Sequence, residues 1–238
     1  MISTPGPHTR VLCLDTSTPT ARIAVVDGTG QPLAGADATA DRHSGHVLKL
    51  CDDVLRGCGI EATALDAIAC GAGPGSFTGL RVGLAVAKGL ALATGKPILL
   101  ASSLEALALD VARAAPEARV VVPCIDAGKG EVYALSYAVE GATVARGGEP
   151  WRLAPAALLE RLADATDTVL AGNGAERHAA VFDTALPPGV RRLAVGGPTA
   201  TSVGALVLPR LARGEADDLD GSVPFYGRPP DITTKRKT

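Results

Sequence analysis

The sequence predicts an α/β fold built from two similar halves. Short strand patterns alternate with helical patterns, and the order β-β-β-α-β-α-β-α occurs twice along the 238 residues. The first strand of each half ends in a similar turn, Leu14-Asp15-Thr16-Ser17 in one half and Ile125-Asp126-Ala127-Gly128 in the other. The repeated order and the matching turns together predict a duplicated structure.

The first half is predicted from apolar runs of strand length and from apolar residues at helical spacing. The run at 66–71 has no polar alternation, which favours burial on both faces of a sheet. Ser102 and Glu105 form a capping box that starts the third helix. The predicted strands are 11–15, 23–27, 32–39, 66–71 and 97–101, and the predicted helices are 47–58, 78–94 and 103–115.

The second half repeats this order, with its weakest strand pattern at 143–146. The predicted strands are 120–126, 132–138, 143–146, 168–172 and 192–195, and the predicted helices are 156–163, 176–182 and 199–213. The repeat predicts an N-terminal lobe at 1–105 and a C-terminal lobe at 106–213. The tail at 214–238 is rich in Gly, Pro and charge, and we expect it to complete the N-terminal lobe.

The composition argues against a protein that binds nucleic acid by itself. Lys and Arg total 23 and Asp and Glu total 25, so the formal net charge is −2. Three of the basic residues lie together at Lys235-Arg236-Lys237, so the rest of the chain is more acidic still. Phosphate contacts need a basic face, and base stacking needs aromatic side chains, which make up only 3% here. We therefore expect any contact with nucleic acid to run through a partner.

Three features favour a cytoplasmic protein without a membrane segment. The first nine residues have no apolar run and do not resemble a signal peptide. The apolar helix pattern at 80–94 is short and carries Arg81 and Lys88, which argues against a membrane span. The five cysteines form no Cys-x-x-Cys pair, which is typical of buried thiols in a reducing compartment.

Two turns have the residue types of phosphate-binding loops. Asp15, Thr16 and Ser17 follow a strand, where backbone N–H groups can hold a phosphate and Asp15 can hold a hydrated cation. The alternative is a turn whose side chains satisfy its own backbone. The second turn is glycine-rich, lies between a strand and a helix, and suits an anion or a simple capped turn equally; its candidate residues are Gly73, Gly75, Ser76 and Thr78.

Two helices have apolar residues on more than one face. The helix at 78–94 is apolar nearly all round and rich in small residues, so it is either a core helix or a helix whose second face meets a partner. The amphipathic helix at 47–58 is a candidate neighbour. The candidate partner-binding residues are Val47, Leu50, Cys51, Val54 and Leu55 in one helix and Leu80, Val82, Gly83, Val86 and Leu90 in the other.

Metal ligands are sparse in the sequence. His43 and His46 are three residues apart, but no third ligand is near, so we expect a surface or capping role and no metal site. Asp126, with Lys129, Glu131 and Tyr133, forms either a solvated turn or the lining of a cleft between the halves.

Five segments together resemble one family, TsaB, also called YeaZ. They cover about residues 10–230 in order, and the glycine-proline-glycine-serine-phenylalanine-threonine-glycine run is the most specific of them. The segments are VLCLDTST at 11–18, RHS at 42–44, GPGSFTGLRVG at 73–83, SSLE at 102–105 and IDAGKGEVY at 125–133.

The resemblance implies an actin-like (ASKHA) fold and a place in tRNA modification. The family acts in bacterial synthesis of N6-threonylcarbamoyladenosine (t6A) at position 37 of tRNAs that read codons beginning with A. A synthase makes threonylcarbamoyl-adenylate, and TsaD transfers the threonylcarbamoyl group to the tRNA. The family member is then TsaD's non-catalytic partner, needs no cofactor, contacts tRNA only through the complex, and is bound with TsaD by the ATPase TsaE.

The resemblance also implies an interface and a lost metal site. TsaB pairs with TsaD, or alone with itself, through helices that match 44–58 and 78–94 here. TsaD has two metal-binding histidines in an Asn-His-Leu-Glu-Gly-His segment, and Ser103 and Leu107 stand at those two positions. Leucine has no ligand atom, and a neutral serine is a poor one. The two phosphate-type turns would then be vestigial.

Two other functions remain open on the residues alone. An actin-like ATP-dependent small-molecule kinase needs a phosphate loop in each half and an adenosine pocket, and only Gly196-Gly197-Pro198 follows the last strand. A metallopeptidase needs the metal ligands that positions 103 and 107 lack. The C-terminal Phe225-Tyr226-Gly227-Arg228 resembles the family's Tyr-Leu-Arg ending only loosely.

Overall fold

The computed structural model describes residues 6–39 and 44–225. The first half contains β1 (Arg10–Asp15), β2 (Thr20–Asp27), β3 (Pro32–Thr39), α1 (Ser44–Gly57), β4 (Ala67–Gly71), α2 (Phe77–Thr94), β5 (Ile98–Ala101) and α3 (Ser103–Ala114). The second half contains β6 (Val120–Gly128), β7 (Glu131–Ala134), β8 (Tyr137–Glu140), β9 (Thr143–Arg146), β10 (Trp151–Leu153), α4 (Pro155–Arg161), β11 (Thr168–Ala171), α5 (Asn173–Arg177), α6 (Ala179–Ala185), β12 (Val190–Leu193) and α7 (Ala200–Ala212).

The two sheets have the same strand order, which confirms the predicted duplication. The first sheet runs β3-β2-β1-β4-β5, and the second has the path β10-β7-β6-β11-β12. In both, the first strand of the half is central: β1 is antiparallel to β2 and parallel to β4, and β6 is antiparallel to β7 and parallel to β11. The central strands are buried on both faces, so they read as continuous apolar runs without alternation.

The third strand of the second sheet is not where the sequence predicts it. The predicted strand at 132–138 ends at Ala134, and the chain leaves to form the β8–β9 hairpin, in which β9 pairs only with β8. The chain returns as β10, whose Trp151 lies opposite Ala134 of β7. Trp151 and Leu153 pack against one apolar cluster of the second lobe, and Val144 of β9 packs against the other.

The last helix of each repeat packs on the sheet of the other repeat. Helix α3 packs on the second sheet, with Leu104, Leu107 and Val111 in the core of that lobe. Helix α7 returns to the first sheet, where Val203 and Val207 pack against β1 and β2. Each lobe is therefore completed by a helix from the other half of the sequence.

The described part of the tail covers an edge of the first sheet. The backbone N–H of Asp217 donates to the carbonyl of Ile98 over 2.9 Å, and the N–H of Leu100 donates to Asp217 Oδ2 over 2.7 Å. Residues 214–225 thus lie beside the first lobe. Tyr226-Gly227-Arg228 and Lys235-Arg236-Lys237 lie outside the described residues.

Helix α2 begins one residue before the predicted helix at 78–94. It has 18 residues, and by length and composition alone it is long and apolar enough to cross a membrane. Leu84, Ala87 and Ala91 pack into the core over the first sheet. Core helices of globular proteins pass the same composition test, so this is weak evidence for a membrane segment.

Candidate functional site

Asp15 ends β1 as a buried carboxylate whose two oxygens are both engaged. Its Oδ1 accepts hydrogen bonds from the N–H and the hydroxyl of Ser17, at 2.8 and 2.6 Å. Its Oδ2 accepts from the hydroxyl of Ser103 at 2.6 Å. Burial raises the pKa of the Asp15 carboxyl, and the hydrogen bonds from Ser103 and Ser17 lower it in part. This geometry favours the turn that satisfies its own polar groups over an open phosphate or cation site.

The glycine-rich loop after β4 is pressed against that turn. A Cβ at Gly71 would overlap the Asp15 carboxylate, and a Cβ at Gly75 would overlap the backbone of Ser17. The N–H of Ser76 donates to the Ser17 carbonyl over 2.7 Å. Gly71 and Gly75 have no side chain, and this lets the loop pack closely against the turn that follows β1.

The remaining members of the predicted loop begin helix α2. The Ser76 hydroxyl accepts from the N–H of Gly79 over 3.2 Å and so caps the helix. Gly73 has a φ of +102°, which favours glycine, and Thr78 is exposed. The loop acts as the capped turn that the sequence left as one alternative.

A cleft of about 270 Å³ separates the lobes next to these turns. Ser17 and Phe77 line it from the first lobe, and Asp126 and Tyr133 line it from the second. His178 Nε2 and Asp126 Oδ1 are 3.7 Å apart. Asp126 and Tyr133 thus contribute to a cleft lining.

Two other residues of that cluster are placed differently. Glu131 pairs with Arg152, and Lys129 takes a left-handed backbone conformation with φ +53°. Only part of the predicted cluster, therefore, lines the cleft.

The lobes touch directly beside the cleft. A Cβ at Gly197 would lie 2.8 Å from Arg22 Nη1 and 2.9 Å from Thr18 Cγ2, so the loop after β12 lies against the turn between β1 and β2. Arg22 also donates to the Thr18 hydroxyl over 3.3 Å. The segment after β12 that the kinase hypothesis needs for an adenosine pocket is thus packed against the first lobe.

Most of the candidate partner-binding residues lie in the core of the chain itself. Val47, Cys51, Val54, Leu55 and Val86 take part in the apolar cluster between α1, α2 and the first sheet, and the half-buried candidates lie at its border. Val86→Glu or Val54→Arg would therefore test the stability of the single chain before any interface. The buried members are Val47, Cys51, Val54, Leu55, Leu80, Gly83 and Val86, and the half-buried members are Leu50, Val82 and Leu90.

The surface available to a partner is the opposite side of α2. We call the exposed stripe formed by Thr78, Arg81, Ala85, Gly89 and Leu92 the outer face of α2. These residues are three or four positions apart and so share one side of the helix. Leu92 is 74% exposed and is the large apolar side chain of this stripe. Small residues at the centre of the stripe leave room for another helix to approach closely.

Three neighbouring groups border the outer face of α2: the Phe77 ring, the tail and helix α1. The Arg81 guanidinium lies 4.1 Å from the centre of the Phe77 ring, and Phe77 is 39% exposed. Lys88 donates to the carbonyl of Asp220 over 3.1 Å, so the tail borders one flank of the helix. Helix α1 packs against α2 within the same cluster and exposes Leu48 together with charged pairs such as Lys49–Asp53.

The two positions that the family resemblance matches to TsaD's metal-binding histidines hold core residues. Ser103 and Leu107 are both fully buried, and Ser103 bonds to Asp15. His46 is exposed on α1, and His43 lies outside the described residues. Within residues 6–39 and 44–225, no group of three or more His, Cys, Asp or Glu is placed to hold a metal ion.

The cysteines are free thiols in the described residues. Cys13, Cys51, Cys70 and Cys124 are buried, and Cys58 is half-buried. Burial raises the pKa of the Cys51 thiol to about 12, and it also raises the pKa values of Cys13, Cys70 and Cys124. Such thiols stay protonated and unreactive at neutral pH.

A polar cluster between α3 and α7 is absent from the sequence-based candidates. Asp110 accepts hydrogen bonds from the N–H and the hydroxyl of Thr199, at 2.7 and 2.8 Å, and from Ser202 at 2.6 Å. Arg113 donates to the same Ser202 hydroxyl over 2.6 Å. Thr199 can be recognised in the sequence as a helix cap, but its partner Asp110, which is 89 residues away, cannot.

Comparison with known proteins gives the family. A family model described as "TsaD: tRNA N6-adenosine threonylcarbamoyltransferase" matches residues 37–182. The tRNA threonylcarbamoyladenosine biosynthesis protein TsaB of Escherichia coli K12 is 36% identical over 128 residues, which is 54% of this chain and 54% of that protein. A solved structure of YeaZ from Pseudomonas aeruginosa is 30% identical with a TM-score of 0.75, over 91% of this chain and 100% of the other. The chain belongs to the TsaB (YeaZ) family.

The coverage differs between these relatives of the TsaB family. The chain spans about half the length of the curated relatives it matches. A second P. aeruginosa structure, an uncharacterized protein with similarity to peptidase YeaZ, is matched over its whole length at 32% identity and a TM-score of 0.77. The structural likeness thus extends over both lobes.

The actin-like fold is confirmed. Besides the two TsaB-family structures, an activator of 2-hydroxyisocaproyl-CoA dehydratase from Clostridium difficile shares the fold at a TM-score of 0.55 and 9% identity. That likeness concerns the fold alone. The TsaB resemblance predicted from the five sequence segments is likewise confirmed.

Proposed function

We propose that this chain is the non-catalytic subunit that supports TsaD in t6A37 modification of tRNA. The E. coli, Haemophilus influenzae and Bacillus subtilis relatives all have the name of a tRNA threonylcarbamoyladenosine biosynthesis protein TsaB. The match to the TsaD family model adds that the chain resembles the transferase itself over residues 37–182. A chain that resembles the enzyme but lacks its ligands fits the role of a paralogous partner.

The observation that carries the proposal concerns Ser103 and Leu107, the two residues that the resemblance matches to TsaD's metal-binding histidines. Leu107 offers no ligand atom, and the Ser103 hydroxyl is used in a hydrogen bond to Asp15. Both side chains face a packed core rather than a cavity. In this proposal, Ser103 and Leu107 contribute to packing and do not bind a metal ion, while the surrounding fold is retained.

The partner in this proposal is TsaD, and its docking site is the outer face of α2. Leu92 and the small residues Ala85 and Gly89 are the features that suit a closely approaching helix. The chain alone pairs with a second copy through the same face, and TsaE joins the heterodimer. Contact with tRNA runs through TsaD, the chain needs no cofactor, and it works in the cytoplasm without a membrane.

Reconstitution tests the proposal directly. Threonylcarbamoyl-adenylate, an unmodified tRNA reading codons that begin with A, TsaD and TsaE are combined with or without this chain, and t6A is measured by mass spectrometry of the digested tRNA. We expect modification only when the chain is present, and none from the chain without TsaD. Full modification in its absence, or transfer by the chain alone, would contradict the proposal.

The kinase alternative receives no support from the cleft. The loop at Gly197 lies against Thr18 and Arg22, and the Asp15 oxygens are occupied by Ser17 and Ser103. We accordingly expect the isolated chain to show no phosphoryl transfer from ATP to small acceptors.

A further inference from the structure

Ser103 connects three parts of the molecule that are distant in sequence. Its hydroxyl donates to Asp15 at the end of β1 and accepts from the N–H of Gly73 over 3.1 Å. Its own N–H donates to the carbonyl of Gly73 over 2.8 Å. Ser103 is also the first residue of α3, the helix that packs in the second lobe. One fully buried residue therefore links the second lobe to the β1 turn and to the loop before α2.

The turn that follows β1 is also packed tightly against the first turns of α2. The Thr16 hydroxyl donates to the carbonyl of Gly79 over 2.8 Å, and a Cβ at Gly79 would overlap the Thr16 carbonyl. The Ser76 N–H is bonded to Ser17. Because these contacts are already closer than any side chain would allow, a shift of the turn has to move the first turns of α2 with it.

We propose that Ser103 is a positioning residue that sets the outer face of α2 through Asp15 and the Gly73 loop. The series Ser103, Asp15, Thr16 and Gly79 leads from the start of α3 to the helix that bears Arg81, Ala85, Gly89 and Leu92. The arrangement makes partner binding sensitive to the position of the second lobe, although Ser103 itself touches no partner. This inference rests on the proposed docking of TsaD at that face.

Two variants separate positioning from plain stability. Ser103→Ala leaves Asp15 Oδ2 and the Gly73 N–H without their partner. Adding Asp15→Asn to Ser103→Ala removes the buried charge, so it restores part of the lost stability but not the link. Ser102→Ala is the matched control, because Ser102 accepts from the N–H of Glu105 over 3.3 Å as the α3 cap and has no bond to Asp15.

The first readout is the Kd of each variant for TsaD, measured by calorimetry well below its melting temperature. We expect Ser103→Ala and the double variant to weaken binding by roughly 3- to 30-fold, the range known for coupling residues that touch neither ligand. Ser102→Ala should bind as the wild type does. An affinity that returns with stability in the double variant, or that stays unchanged in Ser103→Ala, overturns the proposal.

The second readout is hydrogen exchange in the isolated chain. We expect the amides of Gly79 and Leu80 in Ser103→Ala to exchange faster while the β4 amides keep their protection. Uniform loss of protection over both elements, or no change at Gly79 and Leu80, contradicts a positioning role. Because this readout needs no partner, it decides the inference even if the wild-type chain fails to bind TsaD, an outcome that would refute only the proposed function.

Discussion

Gly83 lies so close to Thr16 that a Cβ at position 83 would overlap the Thr16 hydroxyl. The same hydroxyl donates to the carbonyl of Gly79, one turn earlier in α2. Two glycines four residues apart thus let a helix pack directly on the turn that ends β1. This contact explains why the small residues of α2 fall into two groups, those that face the turn and those on the outer face.

Gly83→Ala tests the inward group. We expect the added methyl to lower the free energy of unfolding by roughly 1–3 kcal/mol, because a packed site with backbone and hydroxyl neighbours cannot expand freely. The control is Gly89→Ala, where no heavy atom lies within 4 Å of the new Cβ. That change should leave stability equal or raise it by up to about 1 kcal/mol through helix propensity.

Urea unfolding of both glycine variants, at two protein concentrations so that self-association is visible, provides the measurement. Equal stability of Gly83→Ala and Gly89→Ala would show that the close contact with Thr16 does not constrain α2.

Leu92→Asp tests the outer face of α2. We expect the variant to fold normally, since Leu92 is 74% exposed, and to bind TsaD about tenfold more weakly or worse, because an acidic group would be desolvated in an apolar interface. Val181→Asp is the matched control, being a similar change at a 40% exposed position of α6 in the other lobe. Titration calorimetry with TsaD compares the two.

The same pair of variants bears on self-pairing. Sedimentation of the isolated chain should show Leu92→Asp shifted towards the monomer and Val181→Asp unchanged. Weaker TsaD binding in both variants to the same degree would point away from α2 as the docking site.

Asp110→Ala tests the polar cluster between α3 and α7. Removing the carboxylate leaves Thr199 and Ser202 without their acceptor, and Ser202 is fully buried. We expect a loss of about 2–4 kcal/mol, since several hydrogen bonds to one charged group are lost together. Asp183→Ala, which breaks an exposed ion pair with Arg192, should cost less than about 1 kcal/mol.

Thermal and urea unfolding provide the measurement for the aspartate pair. A loss in Asp110→Ala no larger than that in Asp183→Ala would mean that the cluster does not hold the exchanged helices.

The buried thiols predict a stability that declines in alkali. Their folded pKa values are raised, so above about pH 9 the unfolded chain loses thiol protons that the folded chain keeps. Stability therefore falls as pH rises from about 9, by roughly 1.4 kcal/mol per pH unit for each such thiol. For Cys51 the fall continues up to its folded pKa of about 12.

Cys51→Ala isolates the contribution of one thiol to this pH dependence. Urea unfolding between pH 8 and pH 10.5 gives the unfolding free energy of the variant and of the wild type at each pH. The slope of this free energy against pH should be smaller in the variant, by the amount that corresponds to about one bound proton. Identical slopes in the two proteins would contradict the shift in the thiol pKa.

The order of the elements could be predicted because it depends on local patterns. The buried strand at β4, the glycine stop of α1 and the cap at Ser102 are each readable within a few residues. The β10 strand was missed because three residues carry too little periodicity, and only Ala134 across the sheet makes Trp151 a strand residue. The weak pattern at 143–146 does form a strand, but in a separate hairpin.

The residue types of the candidate site could be predicted from the sequence, but not which side of its helix each residue faces. Val86 and Val82 read alike in the sequence, yet one is buried and the other half-exposed, because the sheet and α1 decide which side of α2 is covered. The role of Asp15 was left open for the same reason, since its partner Ser103 is 88 residues away.

The sequence by itself determined that the chain is a duplicated α/β protein with the segments of the TsaB family. Those features are local, because strand runs, caps and the family segments are read from neighbouring residues. Only the tertiary structure decided that α3 and α7 exchange lobes, that Asp15 is closed by Ser103, and that Leu92 rather than Val86 faces outward. These depend on contacts between residues far apart in the chain, and burial is a property of the whole packed molecule.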